Sequence, residues 1–184
     1  MSKAYVIGIA GGSASGKSTL AKRLESALSA NTVKVFAMDS YYKPEDELPL
    51  VKTANGREYR DYNCPESFRL DELKNDLAEA DGGHDIIIVE GLLTLWDDDI
   101  CERCDLRVYV DCPADVRIIR RIKRNLSWGF SLDEIIDVYL DLVRYRHEEY
   151  VESTKEKAGV VIDTSNGLEG NMIRIIHFIY HNKD

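Results

Sequence analysis

The sequence predicts an α/β fold, a doubly wound, five-stranded parallel sheet flanked by helices. Three observations carry that expectation. Short aliphatic runs alternate with helical patterns along the whole chain. Those runs are largely unalternated, as strands buried on both faces of a parallel sheet should be. The first run also passes directly into a glycine-rich turn, Gly11–Ser18, that opens a helix.

The first strand is expected over 5–10, where A-Y-V-I-G-I-A (4–10) is apolar throughout. The turn after it reads G-G-S-A-S-G-K-S, a full match to the phosphate-binding P-loop pattern G-x-x-x-x-G-K-[ST]. The expected architecture is therefore that of a P-loop NTPase. Gly11, Gly12 and Gly16 let the backbone turn tightly. Successive N–H groups from Gly11 through Ser13, Ala14 and Ser15 can then point at phosphate oxygens. Lys17 supplies a point charge for the β- and γ-phosphates. Ser18 offers a hydroxyl to Mg²⁺. Thr19 lies at the positive end of the following helix, which also favours anions. That helix is expected over 18–29, with Leu20, Leu24, Ala27 and Leu28 at helical spacing.

The remaining strands are expected at 33–37, 86–90, 106–110 and 160–163. The remaining helices are expected at about 68–79, 113–126, 132–157 and 168–181. Ser131 and Glu134 form a capping box for the long one. Met172, Ile175, Ile176 and Ile179 give the last an apolar stripe that reads as core. Segment 43–63 is polar, contains Pro44, Pro49 and Gly56, and shows no apolar period. A connection that long inside a compact domain is usually functional or disordered. No internal repeat or low-complexity tract is visible.

At 184 residues the chain reads as one domain, 1–184, with a short lid around 123–131. The net charge of −9 argues against nucleic acid as a partner, so a triphosphate must be drawn in by a local basic cluster. No stretch is long and apolar enough to span a bilayer, so no membrane partner is expected. Met1–Lys3 leads straight into the first strand, which leaves no room for a signal peptide, and a cytoplasmic location is the expectation. The four cysteines make no disulfide framework in such a chain. Cys101 and Cys104 lack the second pair or neighbouring histidine that a zinc site needs. His177 and His181, one helical turn apart, read as a solvated face. The oligomeric state is open, a homo-oligomer included.

In doubly wound sheets ligands bind outside the carboxyl ends of the strands. Asp39 follows strand 33–37, and Glu90 ends strand 86–90, so both belong on the rim that carries the P-loop. Of two carboxylates facing a Mg-triphosphate, one can take the proton of an attacking hydroxyl and the other can hold Mg²⁺. Asp39 would also suit a turn cap. Glu90, after four aliphatic residues, has little structural reason to be there. Helix 113–126 carries Arg117, Arg120, Arg121, Lys123 and Arg124, of which at least two are expected to face phosphate or substrate hydroxyls. Next comes S-W-G-F (127–130), placed to close over the phosphates and exclude water.

These motifs together resemble the uridine kinase and phosphoribulokinase family of P-loop kinases over most of the chain. G-G-S-A-S-G-K-S-T (11–19) is similar to the family's phosphate loop. M-D-S-Y-Y-K (38–43) resembles the family's strand-2 motif, which implies a base role for Asp39 and substrate contact for Tyr42. I-I-V-E-G (87–91) resembles its acidic motif and implies an Mg²⁺ role for Glu90. P-A-D-V-R-I-I-R-R-I-K-R-N (113–125) resembles its arginine-rich helix, which implies ribose contact for Arg121 and phosphate contact for Arg124. Y-V-E-S-T-K-E-K-A-G-V-V-I (150–162) resembles the run into its last strand.

Departures from the family pattern fall on the acceptor side. Where the family has an F-D-H-P-like segment whose Asp binds ribose, this chain has Tyr62-Asn63-Cys64-Pro65; Asn63 can still bond a diol, or Asp61 can substitute. The family's base-reading β-hairpin should follow helix 68–79, but only Ala80–Asp85 lies before the next strand. Trp128-Gly129-Phe130 stands in place of the lid's E-R-G-R, and Asn125 in place of an Asp. These features pull toward the nicotinamide riboside kinases, as do the resemblances of K-P-E-D-E (43–47), N-G (55–56) and Y-L-D-L-V-R-Y-R (139–146). Tyr59 or Tyr62 could then stack on a heterocycle.

The expected function is an ATP- and Mg²⁺-dependent small-molecule kinase acting on the 5′-hydroxyl of a nucleoside-like acceptor. One alternative is a kinase of nicotinamide riboside or another non-pyrimidine metabolite. The other, of a different class, is a nucleotide-binding regulator without turnover. Against the regulator, Asp39, Glu90 and Arg121 are all present as a set, and no N-K-x-D segment reads guanine, the terminal N-K-D lacking the spacer.

Overall fold

The computed structural model describes residues 3–53, 56–165 and 167–182. Met1 and Ser2, Asn55 of the N-G pair, and the Lys183–Asp184 end of the N-K-D run lie outside them. The strands, in chain order, are β1 (Tyr5–Gly11), β2 (Val33–Ala37), β3 (Leu50–Lys52), β4 (Glu58–Arg60), β5 (Ile86–Glu90), β6 (Leu106–Asp111) and β7 (Val160–Asp163). Five of them make the parallel sheet, in the order β2-β5-β1-β6-β7. The expected five-stranded sheet is present, each strand within a residue of its expected bounds.

The central strands β1 and β5 are buried on both faces, and β1 shows why its sequence does not alternate. Val6 and Ala10 point into one layer with Ile87, Val89, Phe36, Leu73 and Leu77. Ile7 and Ile9 point into the other with Ile86, Ile88, Val108, Leu20, Leu24 and Ile175. Both sets of side chains therefore have to be apolar. The first layer is covered by α2 (Leu70–Ala80) and α3 (Asp98–Arg103), the second by α1 (Lys17–Ala27) and α7 (Glu169–Asn182). The stripe of α7 is core as expected, with Ile175 and Ile179 fully buried and Met172 and Ile176 packed beside them. His177 and His181 stack on its exposed side at 3.9 Å.

Three segments differ from expectation. Residues 43–63 contain β3 and β4, paired antiparallel as a separate small sheet. Each has only three residues with little burial, too few to show a period. α3 is also new; it is six residues long, capped by the Asp97 carboxylate accepting from Ile100 N at 3.0 Å. The stretch 132–157 is not one regular α-helix. It runs as α5 (Leu132–Val138), a π segment (Tyr139–Val143), α6 (Arg144–Arg146), a second π segment (His147–Val151) and a 3₁₀ segment (Glu152–Lys157). Its start is as expected, with the Ser131–Glu134 capping box fully formed.

α4 (Ala114–Ser127) carries the arginines and ends at Trp128, with Gly129 at φ 93° turning the chain toward α5. Between α2 and β5 there is only a tight turn, in which Asp85 Oδ2 accepts from Thr32 N and Oγ1, both at 2.7 Å. The hairpin expected to be missing there is indeed not formed. Among the described residues no helix is long and apolar enough to cross a membrane.

Candidate active site

The carboxyl ends of β1, β2 and β5 lie side by side, because β5 pairs with both of the others. In register, Glu90 stands opposite Ile9 on one side and Ala37 on the other. That places the loop after β1, Asp39 after β2, and Glu90 at the end of β5 on one rim.

The P-loop follows β1 and wraps back on itself. Ala14 takes φ 62° and Gly16 φ 109°, left-handed values that turn successive amides inward. Ser15 N donates to Gly12 O at 3.1 Å, closing the turn. The loop is also fastened from outside. Thr164, just past β7, donates its hydroxyl to Ser15 O at 2.6 Å, and Arg120 Nη1 reaches the same oxygen at 3.4 Å. Arg120 Nη2 donates to Thr164 O at 2.8 Å, so Arg120 serves the scaffold. Arg117 is buried behind the loop, its Nε donating to Cys112 O at 2.9 Å. A Cβ added at Gly12 would sit 2.6 Å from Arg117 Nη1 and 3.0 Å from His147 Cε1, so a side chain there would have to displace the Arg117 guanidinium.

Lys17 is buried and donates Nζ to Gly12 O at 3.0 Å. Burial lowers its pKa, while Glu90 and then Asp39 work to hold the charge. Glu90 is only 6% exposed, and burial raises its pKa against the pull of Lys17 and a hydrogen bond with Ser18. Asp39, exposed in a 3₁₀ turn (Met38–Tyr41), interacts electrostatically with Lys17, Glu90, Tyr42 and Arg124. Arg121 Nη1 and Arg124 Nη2 both donate to Ser13 Oγ, at 3.1 and 3.3 Å. Burial first and Arg124 second push the Arg121 pKa down to about 10. Arg124 is lowered too, mainly by burial, and its guanidinium lies 4.8 Å from the ring centroid of Trp128. Trp128 and Phe130 are 63% and 51% exposed at the tip of this turn. Lys123 points to solvent, and Thr19 is exposed in the first turn of α1.

The residues expected to hold an acceptor form a wall opposite. Tyr42 stacks on Phe68 at 4.4 Å and meets Tyr62 edge-on at 5.4 Å; its hydroxyl donates to Tyr62 O at 3.0 Å. Burial and then Asp39 raise its pKa. Tyr62 is partly exposed and Asn63 half-buried. Asp61 differs from its expected role, because it is 0% exposed and both carboxylate oxygens are engaged. Oδ1 accepts from Asn63 N at 2.8 Å and Oδ2 from Arg146 Nε at 2.7 Å. Tyr59 donates its hydroxyl to Asp141 at 3.0 Å. Sequence reasoning missed Arg146, His147, Asp141 and Thr164, which act through partners far away along the chain. It also missed Gly91, whose local signal was present in the E-G pair.

Two polar atoms at this site are buried without a partner in the protein, Ser15 Oγ and Arg121 Nε. Together with the inward amides and three cations, they suit an anion with several oxygens. The Ser18 hydroxyl and Glu90 carboxylate are hard oxygen donors of the kind Mg²⁺ takes. The four cysteines are free and buried, and among the described residues no cluster of His, Cys, Asp or Glu could by itself hold a metal.

Comparison with known proteins identifies the family of the chain. A family model described as the phosphoribulokinase / uridine kinase family matches residues 6–84 and 76–167. A uridine kinase of Clostridium botulinum (strain Kyoto / Type A2) is 35% identical over 187 residues, covering 88% of this chain and 89% of the relative. One from Brevibacillus brevis is 36% identical, covering 88% and 86%. Among solved structures, that of a possible uridine kinase from Bacillus stearothermophilus superposes with a TM-score of 0.55 at 21% identity, over 89% of this chain and 90% of that one.

Proposed function

Because the chain belongs to the phosphoribulokinase / uridine kinase family, we propose that it transfers the γ-phosphoryl group of ATP to the 5′-hydroxyl of a nucleoside. The observation that carries this reading is the convergence of Lys17, Arg121 and Arg124 with Asp39 and Glu90 on one rim beside the P-loop. A site that only binds a triphosphate needs the cations and the amides. An exposed carboxylate facing them is what an attacking hydroxyl requires.

The donor's phosphates would lie against the amides of Gly11–Thr19, with Lys17 over the β- and γ-oxygens. Mg²⁺, held by Ser18 and Glu90, would neutralise charge on those oxygens. The acceptor would rest against Tyr42, Tyr62 and Asn63, with its 5′-hydroxyl at Asp39. Asp39 takes the proton as the oxygen attacks in line, and Arg124 and Lys17 stabilise the charge on the equatorial oxygens. Arg121 would contact a ribose oxygen. Trp128 and Phe130 can close over the site and keep water from becoming the acceptor.

Asp39→Asn keeps the shape and removes the base. Turnover should fall by roughly 10²–10⁴-fold, while the ATP-induced rise in melting temperature stays near that of the wild type. Near-normal turnover in this variant would overturn the base assignment. A coupled assay of ADP release with uridine, cytidine and nicotinamide riboside ranks acceptors, and no acceptor-dependent release with any of them would refute the nucleoside kinase reading.

A further inference from the structure

Asp61 and Arg146 lie 85 positions apart, and neither belongs to either layer of the core. Yet Asp61 is fully buried and almost every polar atom it has is used. Its amide donates to Pro49 O at 2.9 Å, tying the end of β4 to the start of β3. Its carbonyl accepts from Ser67 Oγ, which folds the loop 61–67 back on itself. Its Oδ1 accepts from Asn63 N at 2.8 Å, fixing the turn that presents Tyr62 and Asn63. Its Oδ2 accepts from Arg146 Nε at 2.7 Å, tying all of this to α6. Arg146 is itself steadied by Glu149, through Nη1, and by the ring of Tyr150 at 5.5 Å.

Other ties join the hairpin to the same helical stretch, Arg57 to Asp137 at 2.6 Å and to Asp141 at 3.5 Å, and Tyr59 to Asp141 at 3.0 Å. Arg57 and Asp137 are largely solvated, so that bond is screened and weak. The Asp61–Arg146 pair is different, because a buried carboxylate that loses its cation is strongly disfavoured until water reaches it. Admitting water to Asp61 disturbs the loop 61–67, because the same residue holds Asn63 N and Ser67 Oγ. That disturbance moves Tyr62 and Asn63, and with Tyr62 O the hydrogen-bond partner of Tyr42. The P-loop is fastened chiefly by other residues, Thr164 and Arg120, and touches this stretch through His147 against Gly12 rather than through Asp61 or Arg146.

We propose that Asp61 and Arg146 are a positioning pair, which sets the acceptor wall of the site while leaving the donor half untouched. This rests on the kinase reading for the meaning of "acceptor", and the pair has its own readout that does not. The sequence offered Asp61 as a direct contact to the ribose; here it acts through Asn63 and Tyr62, from behind the wall.

The test compares Arg146→Met, Arg146→Lys and the double variant Asp61→Asn/Arg146→Met. Arg146→Met should raise the KM for nucleoside about tenfold or more, while the KM for ATP and the ATP-induced thermal shift change little. Arg146→Lys should recover part of the loss by returning a cation. The double variant should bind nucleoside better than Arg146→Met, since it removes the buried charge that forces the loop open. A direct contact from Asp61 to the acceptor predicts the reverse, a double variant at least as impaired as the single one, and that result overturns the proposal. Hydrogen exchange supplies the independent readout: the amides of Asn63 and Phe68 should exchange faster in Arg146→Met than in the wild type. Unchanged exchange at these amides refutes the positioning role even if no nucleoside proves to be a substrate. A wild type inactive on every nucleoside, with exchange responding as expected, refutes the kinase reading alone.

Discussion

Gly91 should be the most informative single position on the rim. It follows Glu90, and its amide donates to Ile9 O at 3.1 Å, so it continues the sheet with no positive φ to accommodate. The reason for glycine is space. A Cβ added there would overlap Met38 Cβ and lie 2.9 Å from Met38 Sδ and 3.1 Å from Met38 Cγ. Carbon atoms pack at about 3.5–4.0 Å, so the overlap is on the order of 1 Å. Met38 can swing its sulfur aside, but its Cβ is fixed to the backbone. The backbone of Met38 must therefore move, and Asp39 is the next residue. Overpacking of this kind costs about 1–3 kcal/mol, and for a chain of this size each kcal/mol lowers the melting temperature by about 2–4 °C. Displacing a catalytic group by about 1 Å costs on the order of 10²-fold in rate. Gly91→Ala should thus melt a few degrees lower and lose most of its turnover, with little change in the KM for ATP. Melting curves and steady-state kinetics on the purified variant decide it. Wild-type turnover with a lowered melting temperature would refute the steric coupling of Gly91 to Asp39; wild-type values of both would refute the close contact itself.

Thr164→Val keeps the shape but removes the hydroxyl that holds Ser15 O. Asp111 O retains the Thr164 amide and Ser15 O retains Arg120, so the cost should be about 1–2 kcal/mol. That corresponds to a fall in melting temperature of about 2–8 °C; an unchanged melt would show that the bond does not hold the loop. His147 should make stability depend on pH. Burial first and Arg117 second lower its pKa from 6.5 to about 4, so between those values the unfolded chain binds a proton that the folded chain refuses. The contribution is complete above pH 6.5 and is lost as pH falls toward 4, by at most about 3 kcal/mol. Urea midpoints at pH 7.5 and pH 5 should therefore differ less in His147→Phe than in the wild type, and equal pH dependence in the two would remove His147 as a source.

The central sheet was legible because β1 and β5 are short aliphatic runs buried throughout, and β2, β6 and β7 are short runs rich in aliphatic residues although partly exposed. The residues proposed for the donor half could be named for a related reason, since those from Gly11 to Thr19 are contiguous and Asp39 and Glu90 lie at strand ends. The acceptor half is assembled differently. β3 and β4 are too short to show a period, and the bonds that set Tyr62 and Asn63 reach across 85 residues to Arg146. No local pattern reports an ion pair at that separation. Arg120 shows the same limit within one helix: it was one of five basic residues of which at least two were expected to face phosphate or substrate, with nothing to say which, and its partners are the carbonyls of Ser15 and Thr164. The π segments were invisible because their side chains keep an apolar face throughout, as Leu142, Val143 and Val151 show.

The helical stretch from Leu132 to Lys157 meets the rest of the molecule in sequence order. Asp137 and Asp141 hold the hairpin, Arg146 the loop behind Asn63, and His147 packs on Gly12. Glu152 accepts from Tyr109 at 3.0 Å, Lys155 donates to Asp111 at 2.7 Å, and Lys157 donates to Asp98 at 2.8 Å. Successive residues of a helix point about 100° apart. Losing or gaining one residue within α5 would therefore turn the later side chains away from their partners, except where a π segment took up the change. Substitutions along this rod change one contact each, but its length admits little drift. Gly56, at the tip between β3 and β4, has open space around it, while Arg57 beside it is tied to Asp137. Insertions and deletions that retune the acceptor side should accordingly accumulate at that tip rather than in the rod that measures the site.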